Sequence, residues 1–127
     1  KAVMLNKLEQ YMIAYKQSQP EIMTDHLEVN KVIAYIHENY HQDITVKGMA
    51  RMIAMDENYF SNLFKVKTNE SLIKYLHRIR IEKAKHYLIH TDLTIQEIAE
   101  KVGYKNINYF NRIFKRITGK TPTVYRE

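Results

Sequence analysis

The chain has 127 residues, a net charge of +6, and 45% hydrophobic and 27% charged residues, which is enough apolar content for a buried core. It has no cysteine, which excludes disulfides, thiol nucleophiles and Cys-ligated zinc or iron–sulfur centres; with only 3 Gly and 2 Pro it is also a poor candidate for a turn-rich β fold. No uncharged apolar run approaches the ~20 residues needed to span a bilayer.

The charge is uneven. Residues 1–43 hold 4 Lys and Arg against 6 Asp and Glu, whereas residues 44–127 hold 16 against 8. A basic two-thirds behind a slightly acidic lead-in points to a polyanionic partner. The first residue is Lys, and the chain reads as the C-terminal part of a longer protein.

Residues 2–17 carry an apolar stripe of period near 3.6 (Met4, Leu5, Leu8, Tyr11, Met12, Tyr15), which predicts a helix broken by Gln17-Ser18-Gln19-Pro20. A stripe isolated before such a break must bury itself on this domain, on a preceding part of the protein, or on a second copy of itself. A second helix follows, capped by Thr24 or Asp25, with a stripe of Leu27, Val29, Asn30, Ile33, Ile36 and Tyr40.

From residue 44 the chain repeats itself. Thr45 and Ala50 match Thr94 and Ala99 at an offset of 49, and Asn58-Tyr59-Phe60, Phe64-Lys65, Thr68 and Tyr75 match Asn108-Tyr109-Phe110, Phe114-Lys115, Thr118 and Tyr125 at an offset of 50. The pattern is a duplication with one inserted residue at a turn. Each copy predicts a Thr-capped short helix (46–54 or 95–102), a tight turn (Met55-Asp56 or Gly103-Tyr104-Lys105), and a longer helix (about 57–67 or 107–117) capped by Asp56 or Asn106. Ala50 and Ala99 fall where a small side chain lets two helices cross closely. These are two helix-turn-helix units, about 45–67 and 94–117. Between them runs an amphipathic helix, about 72–90, capped by Ser71, with Leu72, Leu76, Ile79, Lys83, Ala84, Tyr87 and Leu88 on one side; it would be about 28 Å long. Thr121-Pro122 starts a last short helix.

On these residues the chain resembles the DNA-binding domain of the AraC/XylS family of bacterial transcription regulators, over roughly residues 27–127. The family pattern in the second copy is met by Ile98, Ala99, Gly103, Tyr104, Tyr109, Phe110, Phe114, Lys115, Thr118, Gly119, Thr121 and Pro122. Arg80, Ile81, Ala84, Tyr87 and Leu88 resemble the family's linker helix. Three positions depart from the pattern. Asp56 replaces the usual Ser but caps equally well, Asn69 replaces a Gly and tolerates positive φ, and Tyr87 stands where Leu is commoner. The resemblance implies an all-α fold, residues 24–127 as the DNA-binding domain, and a cytoplasmic, nucleoid-bound regulator. It also implies activation through contact with RNA polymerase and a separate sensory or dimerising domain, with residues 1–23 as the connector helix and linker from it; a homodimer through the N-terminal helix or that domain stays open.

The periodicity turns Glu57, Asn58, Ser61, Asn62 and Lys65 outward on the first recognition helix, and Asn106, Ile107, Asn108, Asn111, Arg112 and Lys115 on the second. Alignment to the family implies base contacts at Asn58, Ser61, Asn62, Ile107, Asn108, Asn111 and Arg112. The chemistry agrees: Arg bonds guanine O6 and N7, Asn bonds adenine N6 and N7, and five Asn suggest a site rich in A·T. Lys65, Lys67, Lys115, Arg116 and Lys120 lie near recognition-helix ends, and Thr45 and Thr94 set helix N-termini, as candidates for phosphate contact.

Tyr59 and Tyr109 are expected to be partly buried beside the core Phe residues rather than to stack on bases. His37/His41 and His86/His90 have i, i+4 spacing, but no third ligand is apparent, so they read as surface histidines and no metal or other cofactor is expected. No phosphate-cradling Gly loop or catalytic Ser/His/Asp grouping is present, and no enzymatic activity is expected. A helical protein-interaction module whose basic face binds an acidic partner is the alternative; sequence-dependent binding of short duplexes at fixed salt separates the two. RNA is a weaker reading, because recognition helices suit the wide B-form groove.

Overall fold

The computed structural model describes residues 23–127; the helix expected over 2–17 lies outside them, as does the connector apart from Met23. Among the described residues the chain forms seven helices and no strand. They are α1 (Leu27–Asn39), α2 (Val46–Met52), α3 (Glu57–Thr68), α4 (Leu72–His90), α5 (Ile95–Lys101), α6 (Ile107–Thr118) and α7 (Pro122–Arg126). The expected all-α architecture, two helix-turn-helix units on one linker helix, is what the chain adopts.

Every helix opens on a side chain that accepts the backbone N–H three residues on. These caps are His26, Thr45, Asp56, Ser71, Thr94, Asn106 and Thr121, and a good cap contributes roughly 1 kcal/mol. Thr94 and Glu97 satisfy each other's backbone N–H groups in a capping box. The cap of α1 is His26, not Thr24 or Asp25. The Thr24 hydroxyl instead accepts from His26 N–H and donates to the Asn30 carboxamide oxygen, and Asp25 reaches out to Lys67 at 2.9 Å.

Two cores form, one in each unit. The first gathers Val29, Val32, Ile33 and Ile36 from α1, Met49 and Ala50 from α2, and Phe60 and Phe64 from α3. Leu27, expected in the α1 stripe, is 66% exposed. It lies two residues, about 200° of helix turn, from Val29, so it faces away while Val32 faces in. The second core gathers Ile98 and Ala99 from α5, Val102 and Tyr104 from the turn, and Phe110, Ile113 and Phe114 from α6. Ala50 and Ala99 are buried where the short and long helices of each unit pack, as the repeat predicts.

The linker helix α4 serves both cores. Leu72, Tyr75, Leu76 and Ile79 enter the first, and Ile81, Ala84 and Leu88 the second. A single stripe therefore describes it poorly: Lys83, expected on the buried side, is exposed, while Tyr75, Arg80 and Ile81 are buried. At its end, Arg126 donates to the Leu88 and Thr91 carbonyls and Tyr125 packs on Phe114, fixing α7 against α4 and α6.

The two turns share one geometry. Met55 N–H donates to Ala50 C=O at 2.9 Å, and Tyr104 N–H to Ala99 C=O at 2.8 Å. The residues before them, Ala54 and Gly103, have φ of 56° and 111°. Ala54 is thus the counterpart of Gly103, and α2 ends at Met52 rather than at residue 54. The inserted residue is Lys105, just ahead of the Asn106 cap. Asn69 and Gly119 close α3 and α6 in the left-handed region at φ of 66° and 85°, so Asn69 does the work of the glycine it replaces.

Candidate nucleic-acid interface

The recognition helices α3 and α6 bury one stripe and present the other. On α3, Phe60 and Phe64 are buried, Leu63 is half-buried, Asn58, Asn62 and Lys65 are exposed, and Ser61 is half-buried. On α6, Phe110, Ile113 and Phe114 are buried, while Asn108, Arg112, Lys115 and Arg116 are exposed. Ile107 and Asn111 are half-buried, and the Asn111 carboxamide oxygen is enclosed without a hydrogen-bond partner among the described residues. The Asp56 and Asn106 caps leave the first turn of each helix at the surface, polar side out.

The basic residues differ in availability. Lys65, Lys115, Arg116 and Lys120 are exposed. Lys67 is half-buried against Asp25, whose carboxyl it holds below the usual carboxylate range. The Thr45 and Thr94 hydroxyl oxygens accept from Gly48 and Glu97 N–H at 2.9 and 3.0 Å.

The two tyrosines diverge. Tyr59, expected to be partly buried, is 59% exposed. Tyr109 is 39% exposed because its ring leans on α4: its hydroxyl meets His77 Nε2 at 3.2 Å. His77 Nδ1 meets the Tyr104 hydroxyl at 2.6 Å, and the His77 and Tyr104 rings stack at 5.7 Å between centroids. Burial, with Arg80 and Arg116 nearby, pushes the His77 pKa down, and burial pushes the Tyr104 hydroxyl up. Near neutral pH the imidazole is therefore uncharged and Tyr104 keeps its proton. The neutral ring meets one tyrosine hydroxyl at each nitrogen, donating at one and accepting at the other.

Arg80, 7% exposed, is the buried charged residue among the described residues, and it connects the units. Its Nε donates to Tyr40 C=O at 2.7 Å and its Nη2 to Gln42 C=O at 2.8 Å, both in the α1–α2 connection, while the guanidinium lies over the Tyr104 ring of the second unit. A Cβ at Gly103 would stand 2.8 Å from the Arg80 guanidinium carbon. The sequence marks Arg80 and Gly103 as family positions but not as neighbours. The available signal was a charged residue next to Ile79 and Ile81 on a buried helix.

His37 is not a surface histidine. It is half-buried, its Nε2 meets the Tyr75 hydroxyl at 3.0 Å, and burial lowers its pKa to about 4. His41, His86 and His90 are exposed, with the last two rings 4.5 Å apart. No group of three or more His, Asp or Glu among the described residues is placed to hold a metal ion, and no described helix is long and apolar enough to cross a membrane.

Two helix-turn-helix units on one linker helix define a tandem helix-turn-helix domain. A family model described as a helix-turn-helix domain matches residues 49–127. The chain is similar to the raffinose operon regulatory protein RafR of Pediococcus pentosaceus, 34% identical over 100 residues, which are 79% of this chain and 36% of RafR. It is also similar to the HTH-type transcriptional regulator YtdP of Bacillus subtilis, 36% identical over 98 residues, 77% of this chain and 13% of that protein. Among solved structures, the C-terminal domain of the response regulator AraT from Geobacillus stearothermophilus superposes with a TM-score of 0.77 at 36% identity, covering 80% of this chain and 84% of that one. The chain belongs to the AraC-type helix-turn-helix family. It spans about a third of RafR's length and far less of YtdP's.

Proposed function

We propose that residues 24–127 form the sequence-reading domain of a bacterial transcription activator, with α3 and α6 entering two successive major-groove segments on one face of duplex DNA, about 34 Å apart. The carrying observation is that α3 exposes Asn58 and Asn62, and α6 exposes Asn108 and Arg112, near capped N-terminal ends, while one continuous helix, α4, enters both cores. Asn58, Ser61 and Asn62 would read the first segment, and Ile107, Asn108, Asn111 and Arg112 the second, Asn111 after its amide turns outward. Arg112 has no basic counterpart in the first copy, where Asn62 stands, so the two segments differ in sequence. Lys65, Lys115, Arg116 and Lys120 supply phosphate contacts, and the Thr45 and Thr94 hydroxyls donate to phosphate from their cap positions. Lys67 contributes only if it leaves Asp25.

In this reading the domain carries no catalytic step of its own and works in the cytoplasm. Residues 1–23 connect it to a sensory or dimerising domain, and activation proceeds through contact with RNA polymerase. The experiment is selection from random duplexes followed by a spacing change. Two specified segments one helical turn apart are expected, and inserting five base pairs between them should abolish the preference by moving one segment to the opposite face. Selection without a shared sequence would contradict the reading.

A further inference from the structure

Arg112 lies with its guanidinium carbon 5.5 Å from the Tyr109 ring centroid, over the ring. Tyr109 is in turn tied through its hydroxyl to His77 on the linker helix, and His77 to Tyr104, over which Arg80 lies. Arg80, Tyr104, Tyr109 and Arg112 line one cleft with Gly103 and Asp43. An unbroken series of contacts thus runs from the α1–α2 carbonyls of the first unit, through Arg80, Tyr104, His77 and Tyr109, to the Arg112 head.

We propose that Tyr109 is a positioning residue for base recognition: braced by His77 on the linker helix, its ring holds the Arg112 guanidinium in the pose that reads a base pair. This rests on Arg112 being a base reader. A long exposed arginine loses rotamer freedom when it binds, and a platform that fixes it beforehand removes part of that cost. The planar guanidinium stacks on an aromatic face while its N–H edge stays free for two acceptors, the arrangement a guanine contact needs. The first copy lacks the device: Asn62 replaces Arg112, and Tyr59 is mostly exposed. The linker helix therefore acts in base preference as well as in spacing, and only at the second segment.

The test uses the 127-residue chain, the best duplex selected by the protein, and all single-base variants of it at one salt concentration. Arg112→Ala should erase the preference at one base pair, a loss of about 5- to 150-fold in discrimination. Tyr109→Leu should reduce discrimination at that same base pair by about 2- to 30-fold, leave preferences in the first segment unchanged, and have no further effect there in the Arg112→Ala background. Tyr109→Phe keeps the ring, and with it the fold, but cuts the tie to His77; it should give a smaller loss at the same base pair. If Arg112→Ala changes preference and both Tyr109 variants preserve it, or weaken all duplexes equally, the positioning role is wrong and the reading face stands. If Arg112→Ala itself alters no preference, both fall.

Discussion

Replacing Arg80 with Met should cost the fold more than any surface charge does. The side chain is 7% exposed, and its two hydrogen bonds to Tyr40 and Gln42 carbonyls, 2.7 and 2.8 Å long, are made across the junction of the two units. Hydrogen bonds to a charged group are worth about 1.5–3 kcal/mol each, and the relief from no longer burying a guanidinium offsets part of that. A net loss of about 2–4 kcal/mol follows, or on the order of 10–20 °C in Tm for a domain of this size. Gly103 gives an internal control. Gly103→Ala in the native background meets two obstacles, a backbone φ of 111° and the Arg80 guanidinium at 2.8 Å from the new Cβ. In the Arg80→Met background the second is relieved, so Gly103→Ala should cost less there, with a coupling of about 1 kcal/mol. Urea denaturation of the four proteins measures the cycle. An Arg80→Met variant within 1 °C of the parent, or strictly additive effects, would refute the junction as described.

Ala54→Gly should stabilise the first unit by about 0.5–1 kcal/mol, because φ of 56° strains an Ala and suits a Gly; a higher urea midpoint with unchanged slope checks it, and no gain would mean that the turn bears no strain. Ala99→Trp should lower the midpoint by at least ~1–3 kcal/mol through overpacking of the buried α5–α6 crossing, read by thermal melting. Stability should also fall on mild acidification. His37 is held at a pKa of about 4 against an ordinary 6.5, so above pH 6.5 the imidazole is neutral in both states. As pH drops towards 4 the unfolded chain binds the proton first, and the native state loses about 1–2 kcal/mol, less than full burial would give because solvent screens part of the effect. His77, shifted the same way, adds to the slope. Comparing denaturation at pH 7 and pH 5 for the parent and for His37→Gln should show a flatter dependence in the variant.

The repeat made most of the fold legible. Matching Thr caps, central Ala residues and Phe pairs placed both helix-turn-helix units. Helical phase also places most of their outer faces, because a helix packed on one side leaves the other at the surface, but Ser61, Ile107 and Asn111, expected outward, are half-buried at the edge of that face. The linker helix was read less well. It feeds two cores in different directions, so its apolar residues fall on no single stripe, and a 3.6-residue pattern that points Lys83 inward gives no reason to bury Arg80. Nothing in the identity of Ala54 announces a left-handed conformation, whereas a glycine at Gly103 does. The tie from His77 to Tyr104 and Tyr109 joins residues 27 and 32 positions apart. No local pattern encodes such a contact. His37 and Tyr59 exchanged their expected environments for the same reason, since packing partners from α4 decide which ring is covered.

A domain that reads sequence does more than attract polyanions. The most direct test is the ratio of affinities for the selected duplex and a scrambled duplex of equal length and composition, measured at one near-physiological salt concentration. Sequence reading requires a ratio of about 10³ or more, with both affinities falling steeply as salt rises. A ratio within about threefold of unity would contradict it, leaving only the nonspecific phosphate contribution that basic residues give on any duplex.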